Sequence, residues 1–232
     1  MSTKNRIQFK NYPSISEYKL AYVRRRILSW SQSNFSIYPW RENTSKFHGL
    51  IAEILLQRTQ ADQVVTVYQN FVRLFPDAAT LSAASLADVE AIVATLGLKK
   101  RAKYIHELGI FLASKDGFIN DPEILLRIRG IGQYTASAYL SLHCGVRKPI
   151  YDSNVSRFYS RFFGFPYERE LRGNRFLADL SERLTPRNNF QQFNYALIDF
   201  TRLVCKSKAN HKTCPLSRKC YWGKLVNFEQ GL

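Results

Sequence analysis

The chain has 232 residues, and 45% of them are hydrophobic, which is enough to bury a core in one compact unit or in two small ones. Lysine and arginine outnumber aspartate and glutamate by 34 to 18, and the formal net charge of +16 is spread along the whole sequence. This excess favours a polyanionic partner, because a cationic surface gains free energy by releasing counterions from a phosphate backbone. Charge that only keeps the protein soluble is the alternative.

The apolar segments argue against a membrane protein. Residues 1–13 contain no apolar signal-peptide core, and no stretch approaches the ~18 apolar residues that a membrane span needs. Neither end carries a basic amphipathic segment that would bind a membrane surface. We therefore expect a protein of the cytoplasm or, in a compartmented cell, of the nucleus, with no membrane partner.

Apolar residues recur at helical spacing through most of the chain, as at Leu20, Val23 and Ile27, and no run of alternating residues predicts a strand. We predict an all-α fold of about ten helices joined by short loops. Three sets of residues are typical of helix ends. They are Ser14 with Glu17, Gly97 after a helix that begins near Ser85, and Asp121 followed by proline.

The segment AEILLQRTQ places a carboxylate, Glu53, on a helix whose apolar face includes Leu50 and Ile54. A carboxylate among such residues is costly unless it is paired or functional. Gln57 follows one turn later on the same face. The next three residues, 58–60, are either part of a functional surface or a solvated helix end.

A glycine-rich hairpin follows between residues 125 and 144. Gly130 and Gly132 let the backbone approach a ligand closely, and the helix that begins near Gln133 offers unpaired amides to a phosphate. An ordinary tight turn between two helices is the alternative. Farther along, Asp152 stands just ahead of a helix that runs to Gly164, where its carboxylate can act as an N-cap and is kept ionised by the helix dipole.

Three of the four cysteines, Cys205, Cys214 and Cys220, lie close together near the end of the chain, whereas Cys144 is isolated. In a reducing compartment such a cluster suggests metal ligation before disulfides.

Together these segments resemble the endonuclease III superfamily of helix-hairpin-helix DNA glycosylases. GIGQYTA is followed, eighteen residues after its Tyr134, by Asp152 in YDSNVSRFYSRFFG. YPWRENTSKFHGLIAEILLQRTQADQV resembles the first barrel helix of the mismatch-specific thymine and adenine enzymes, and GLKKRAKYIHELG resembles the next landmark. NYALIDFTRLVCKSKANHKTCPLSRKC resembles the C-terminal cluster segment, so the likeness covers about Leu28 to Cys220.

The resemblance implies a six-helix barrel domain, residues 38–146, and a second helical domain made of residues 1–37 and 147–232. In this superfamily a nucleotide is extruded from the duplex into a cleft between the two domains. Asp152 would stabilise the positive charge that develops on the sugar, and Glu53 would protonate or hydrogen-bond the leaving base. Tyr134 stands where strand-cleaving relatives carry a lysine, so we expect little or no lyase activity.

The resemblance also implies the residues that contact DNA. Residues 57–60 lie where the family inserts side chains into the gap left by the extruded base, with Arg58 or Gln57 as the wedge. The full predicted DNA-binding set is Gln57, Arg58, Thr59, Gln60, Gly130, Gly132, Gln133 and Asn154.

The cysteine segment departs from the family pattern of four cysteines with six, two and five residues between them. Here Cys205, His211, Cys214 and Cys220 are separated by five, two and five residues. A [4Fe-4S] cluster with His211 as the fourth ligand, a zinc ion bound by three cysteines and one histidine, and the loss of any metal all stay open.

We expect a monomer that acts on double-stranded DNA, associated with the nucleoid or located in a nucleus. The leading function is excision of thymine or uracil mispaired with guanine, because adenine glycosylases usually carry a further C-terminal domain. Adenine excision opposite guanine or 8-oxoguanine is the alternative within the family. A non-catalytic DNA-binding module is the alternative outside it, since Arg129 stands where the family commonly has proline.

Overall fold

The protein is all-helical in the computed structural model, which describes residues 12–42, 44–97, 99–114, 119–167, 173–209, 211 and 213–229. Within those residues it forms twelve α-helices and two short 3₁₀ segments, 94–96 and 217–219, and no strand. The predicted all-α fold is confirmed, with two more helices than the periodicity indicated. None of the helices that can be described is both long and apolar enough to cross a bilayer.

The α-helices, in chain order, are α1 (Glu17–Ser31), α2 (Lys46–Leu55), α3 (Ala61–Leu74), α4 (Ala78–Ala83), α5 (Leu86–Val93), α6 (Lys99–Ala113), α7 (Pro122–Arg127), α8 (Gln133–His143), α9 (Ser153–Phe163), α10 (Arg175–Leu184), α11 (Phe190–Leu203) and α12 (Tyr221–Glu229).

The helix ends follow local side-chain chemistry. Asp121 caps α7 by accepting from two backbone amides, and Ser85 forms a reciprocal capping box with Asp88 at the start of α5. Gly97 ends the following 3₁₀ turn in the left-handed conformation, at φ 68°. The first helix is capped by Ser16 and not by Ser14, because the Ser16 hydroxyl accepts from the amide of Lys19.

One compact unit consists of residues 34–150 and 185–196. Its core surrounds α2, in which every residue from 47 to 55 is buried. The core side chains come from α2 through α8, and α2 packs against α8, α3 and α6. The helix therefore packs against several neighbours, which explains why its apolar residues are not confined to one narrow stripe.

The other compact unit contains residues 12–33, 151–184 and 197–229 of the described chain. Aromatic rings from α9 and α11 fill its interior: Phe158 meets Phe200 edge to face at 5.4 Å and Phe162 lies 5.8 Å from Phe158. Arg24 of α1 donates to the backbone carbonyl of Leu184, which ties the first helix to the end of α10.

Residues 185–196 lie in the unit of residues 34–150, although the sequence assigned them to the domain formed by both chain ends. Long-range hydrogen bonds explain the difference. Arg147 donates to the carbonyls of Thr185 and Pro186, and Asn194 donates to Ser141 and to the carbonyl of Lys148. The predicted boundaries 38–146, 1–37 and 147–232 stay a prediction, and residues 1–11 and 230–232 lie outside the described residues.

Candidate active site

The unit formed by residues 34–150 and 185–196 contains a buried carboxylate. Glu53 on α2 is 5% exposed, and its Oε1 lies 3.1 Å from Nε2 of His143 at the end of α8. The His143 side chain is 2% exposed. The carboxylate that the sequence marked as costly is therefore paired, and its partner comes from 90 residues farther along the chain.

A glycine on α2 provides the space for this imidazole. A Cβ at Gly49 would lie 2.5 Å from Cγ of His143, closer than any real contact. Gly49 and Glu53 are four residues apart and so share one helix face. His143 thus packs against the backbone of α2 one turn before the carboxylate that it contacts.

Tyr195 and Arg41 contribute to the same region of this unit. Burial and, to a smaller extent, the charge of Glu53 raise the pKa of the Tyr195 phenol, whereas the charge of Arg41 lowers it by less. The guanidinium of Arg41 lies 4.6 Å from the centre of the Tyr195 ring. Tyr195 is thus in contact with the cation of Arg41 and lies within the electrostatic reach of Glu53.

The four predicted DNA-contact residues after α2 have different surroundings. The side-chain amide of Gln57 donates to the carbonyl of Gly130 and to the hydroxyl of Thr135, both at 2.9 Å. Arg58 is exposed and has a backbone φ of 58°, a conformation that is unusual for a residue with a side chain. Thr59 is half-buried, and exposed Gln60 precedes the first turn of α3.

The glycine hairpin joins α7 to α8 as predicted. Gly130 has a φ of 89°, and a Cβ there would approach the ring of Tyr104 to 3.1 Å. Gly132 is the N-cap of α8 without a side-chain cap, and open space surrounds its missing Cβ. Gln133 is exposed and Tyr134 is half-buried in the first turn of α8. An exposed, uncapped helix start of this kind suits a phosphate oxygen.

In the other unit, Asp152 is the N-cap of α9. Its Oδ1 accepts from the amides of Asn154 and Val155 at 2.9 and 2.8 Å, and its Oδ2 accepts from the side-chain amide of Asn154 at 2.9 Å. The carbonyl of that side chain accepts in turn from Arg157. Both oxygens of Asp152 are thus held by donors at a helix start, where negative charge is favoured.

Asp152 lines a surface cavity of about 270 Å³ in this unit. Three cationic side chains line the same cavity: Arg157, Arg202 and Lys206. Arg157 also donates to the carbonyls of Thr201 and Cys205, which fixes its position. A single carboxylate among cations is an arrangement suited to a phosphodiester substrate with positive charge developing on its sugar.

The residues of the predicted metal site line a second, small cavity of the same unit: Cys205, His211, Cys214 and Cys220. Burial raises the pKa of all three thiols, in the case of Cys214 to about 11. Both ring nitrogens of His211 are buried without a hydrogen-bond partner among the described residues. An imidazole without a hydrogen-bond partner and three thiols are ligand types that soft metals bind.

The spacing of these four residues does not suit a single ion. No three histidine, cysteine or acidic side chains in the described ranges form a group that could hold one. A tetrahedral zinc ion needs ligand atoms about 4 Å apart, because each lies roughly 2.3 Å from the metal. The donor types are those that metals bind in proteins, but the described residues form no group positioned for a single ion.

The predicted site residues thus fall into two sets, each within its own unit. Glu53, Gln57 and the hairpin belong to the unit of residues 34–150, while Asp152, Asn154 and the cysteine segment belong to the other. Sequence reasoning missed His143, Arg41 and Tyr195. Only Gly49 carried a signal for His143, since a glycine inside a helix often marks the close approach of another group.

Residues 51–174 match the family described as the HhH-GPD superfamily of base excision DNA repair proteins. A thymine/uracil-DNA glycosylase of Pyrobaculum aerophilum is 34% identical over 186 residues, which cover 77% of this chain and 81% of that protein. An adenine DNA glycosylase of Buchnera aphidicola subsp. Schizaphis graminum is 32% identical over 208 residues, 87% of this chain and 60% of that protein. The solved structure of a thermostable thymine-DNA glycosylase matches with a TM-score of 0.82 at 27% identity, covering 89% of this chain and 98% of that one.

Proposed function

Because the chain belongs to the HhH-GPD superfamily of base excision DNA repair proteins, we propose that it is a DNA glycosylase that removes thymine or uracil mispaired with guanine and leaves the DNA backbone intact. The observation that carries the proposal is the presence of two carboxylates held by specific partners, Glu53 and Asp152. Similarity over most of the chain to a thymine/uracil-DNA glycosylase supports the choice of base.

Asp152 is proposed to act on the sugar. As the N-glycosidic bond breaks, its electron pair leaves with the base and positive charge develops on the deoxyribose. A carboxylate fixed by three hydrogen bonds needs no rearrangement to stabilise that charge. Water then adds to C1′ and loses a proton, which completes the hydrolysis.

Glu53 is proposed to act on the leaving base, through a proton or a hydrogen bond to an oxygen of thymine or uracil. Burial at 5% exposure supports this role, because a polar group in a water-excluded site interacts strongly with a bound base. The negative charge of Glu53 also acts on the buried phenol of Tyr195, whose pKa is raised chiefly by burial.

Arg58 is the better candidate for the wedge that fills the gap left by the extruded base. Gln57 has its amide nitrogen committed to Gly130 and Thr135, whereas Arg58 is exposed and held in an unusual backbone conformation. We assign Gln57 the role of tying α2 to the hairpin. The hairpin amides at Gly130, Gly132 and Gln133 would then bind a phosphate of a mismatched duplex.

Adenine excision is the second candidate function, favoured by the 32% identity to an adenine DNA glycosylase. A single-turnover assay on duplexes with G:T, G:U, A:G and A:8-oxoguanine pairs separates the two. We expect abasic sites from G:T and G:U only. Excision confined to the adenine-containing duplexes would reverse the assignment, and specific binding without excision from any duplex would favour a non-catalytic module.

We expect base removal without strand cleavage. Tyr134 offers a phenol where a lysine amine would be needed to form an imine with C1′. The G:T duplex should therefore break only after treatment with alkali, and borohydride should trap no covalent complex. If borohydride trapped a covalent complex that formed as fast as the base was lost, the role of Tyr134 would be contradicted. Another amine of the protein would then have to form the imine.

We further propose that Cys205, His211, Cys214 and Cys220 hold a [4Fe-4S] cluster. The shared cavity and the two unpartnered nitrogens of His211 support this assignment. Such a cluster would hold the loop after α11 in place, and the proposed hydrolysis does not pass through it. Arg161 already anchors that loop by donating to the carbonyls of Lys206 and Ser207.

Iron and sulfide analysis of protein purified without oxygen tests the cluster. We expect about four iron atoms per chain and a broad visible charge-transfer absorption, as this cluster type requires. His211→Ala should lose most of the iron, His211→Cys should retain it, and Cys144→Ser is the matched control. Zinc at one atom per chain, or a metal-free protein with the same melting temperature as His211→Ala, would contradict the proposal.

A further inference from the structure

The imidazole of His143 contacts the carboxyl group of Glu53 where both are buried. Nε2 of His143 lies 3.1 Å from Oε1 of Glu53, at 2% and 5% side-chain exposure. Oε1 is the only oxygen of Glu53 with a hydrogen-bond partner in the part of the chain that the structure describes. The second oxygen is therefore the one available to another group.

We propose that His143 is a positioning residue for base excision: it holds Oε1 of Glu53 and leaves Oε2 to engage the extruded base. This inference rests on the proposed function of Glu53. An unrestrained carboxylate on a buried helix can rotate about its side-chain torsions, whereas one held at Oε1 presents Oε2 in a single orientation. Catalytic groups act efficiently when a second group fixes them in this way.

The fold maintains this contact at a cost. Glycine inside a helix is less favourable than alanine, yet Gly49 stands within α2, where any side chain would strike the imidazole. The ring of Tyr139, one turn earlier on α8, lies 6.3 Å from the imidazole between centroids, with 27° between the planes. The imidazole thus packs against Gly49 of α2 and near Tyr139, with Glu53 as its one hydrogen-bond partner in the described residues.

Stability of the fold does not by itself account for the pair. A buried ion pair often stabilises a protein no more than apolar side chains of the same volume. Among the described residues, His143 is the one whose side chain forms a hydrogen bond with Glu53, so it is the residue positioned to orient this carboxylate.

Three substitutions at this position separate orientation from packing. His143→Gln keeps an N–H near the position of Nε2, and His143→Leu fills similar space without a donor. The side chain of His143→Asn is too short for its amide to reach Oε1 of Glu53. The rate of thymine loss at saturating enzyme is measured alongside the dissociation constant for a duplex that carries a non-cleavable nucleotide. His106→Gln on α6, whose ring contacts the carbonyl of Ala84, is the matched control.

We expect His143→Leu and His143→Asn to slow excision about 10- to 100-fold, the usual effect of removing a group that orients a functional one. The dissociation constant should stay within about threefold, and His143→Gln should retain most of the rate. Parental rates in both Leu and Asn variants would overturn the inference. So would a His143→Gln variant as slow as His143→Asn, and this comparison stands even if His143→Leu fails to fold.

A double substitution distinguishes failure of this inference from failure of the proposed function. In a Glu53→Gln background, His143→Asn should have no further effect on the rate if His143 acts through Glu53. A slow Glu53→Gln variant with a parental His143→Asn variant would overturn only the role of His143. A parental Glu53→Gln variant would instead remove the proposed function of Glu53, and the inference with it.

Discussion

Replacing Asp152 by asparagine should lower the single-turnover rate of thymine excision by about 10³-fold, equivalent to roughly 4 kcal/mol of transition-state stabilisation. The substitution removes the negative charge that faces the developing positive charge on the sugar. It leaves the shape of the side chain and an oxygen that can still accept from the amides of Asn154 and Val155. The loss should therefore appear in the rate and not in the affinity for DNA.

The fold should tolerate this change, because asparagine and aspartate are equally good N-caps and the expected stability difference is below about 0.5 kcal/mol. Asp77→Asn is the matched control, since Asp77 caps α4 by the same kind of hydrogen bond, here from Thr80. Equal melting temperatures for both variants, with a slow rate for Asp152→Asn alone, are the expected pattern. An Asp152→Asn variant that removes thymine at the parental rate would refute the proposed chemistry at the sugar.

Replacing Glu53 by glutamine should slow excision by about 10² to 10³-fold, the range for loss of a general acid or of a charged hydrogen-bond partner. Glutamine keeps an oxygen that accepts from Nε2 of His143, so the buried contact can persist. It carries no titratable proton for the leaving base. Single-turnover kinetics on the G:T duplex measure the loss directly.

Glu107→Gln is the matched control for this variant. Glu107 is exposed on α6 and lies 3.9 Å from Lys103 in a surface pair, whose contribution to stability is small. The control should keep both the rate and the melting temperature. A Glu53→Gln variant indistinguishable from Glu107→Gln would show that the buried carboxylate serves only the fold.

The local part of the fold could be predicted from the sequence because it depends on residues a few positions apart. The start of α9 at Asp152, the start of α8 after Gly132 and the end of the 3₁₀ turn at Gly97 each follow from one capping or positive-φ residue. The start of α1 was placed at the wrong serine. Ser14 and Ser16 both precede the helix, and only the final backbone geometry decides which hydroxyl meets an amide.

Long-range contacts could not be predicted in the same way. The contact between Glu53 and His143 joins residues 90 apart, and the hydrogen bond from Asn194 to Ser141 joins residues 53 apart. No local pattern encodes either pair. The same reason explains why the sequence did not indicate that residues 185–196 belong to one compact unit with residues 34–150.

Within the candidate site, sequence reasoning identified the chemical groups but not what holds them. It marked Glu53 as a buried carboxylate that needs a partner without finding the partner. It left Gln57 and Arg58 as equal candidates for the wedge, because hydrogen bonds to the hairpin and a positive φ are visible only in three dimensions. It also left the metal undecided, since donor spacing in the cavity depends on how the loop folds.

The most direct test of the central claim is to identify the product released from a G:T duplex whose mismatched thymine is labelled in the base. We expect free labelled thymine to appear at the same rate as alkali-sensitive abasic sites, in a strand that stays unbroken until alkali is added. Two results would contradict base excision by this protein. One is label that stays in the DNA after prolonged incubation with excess enzyme, and the other is label released only when the strand is broken.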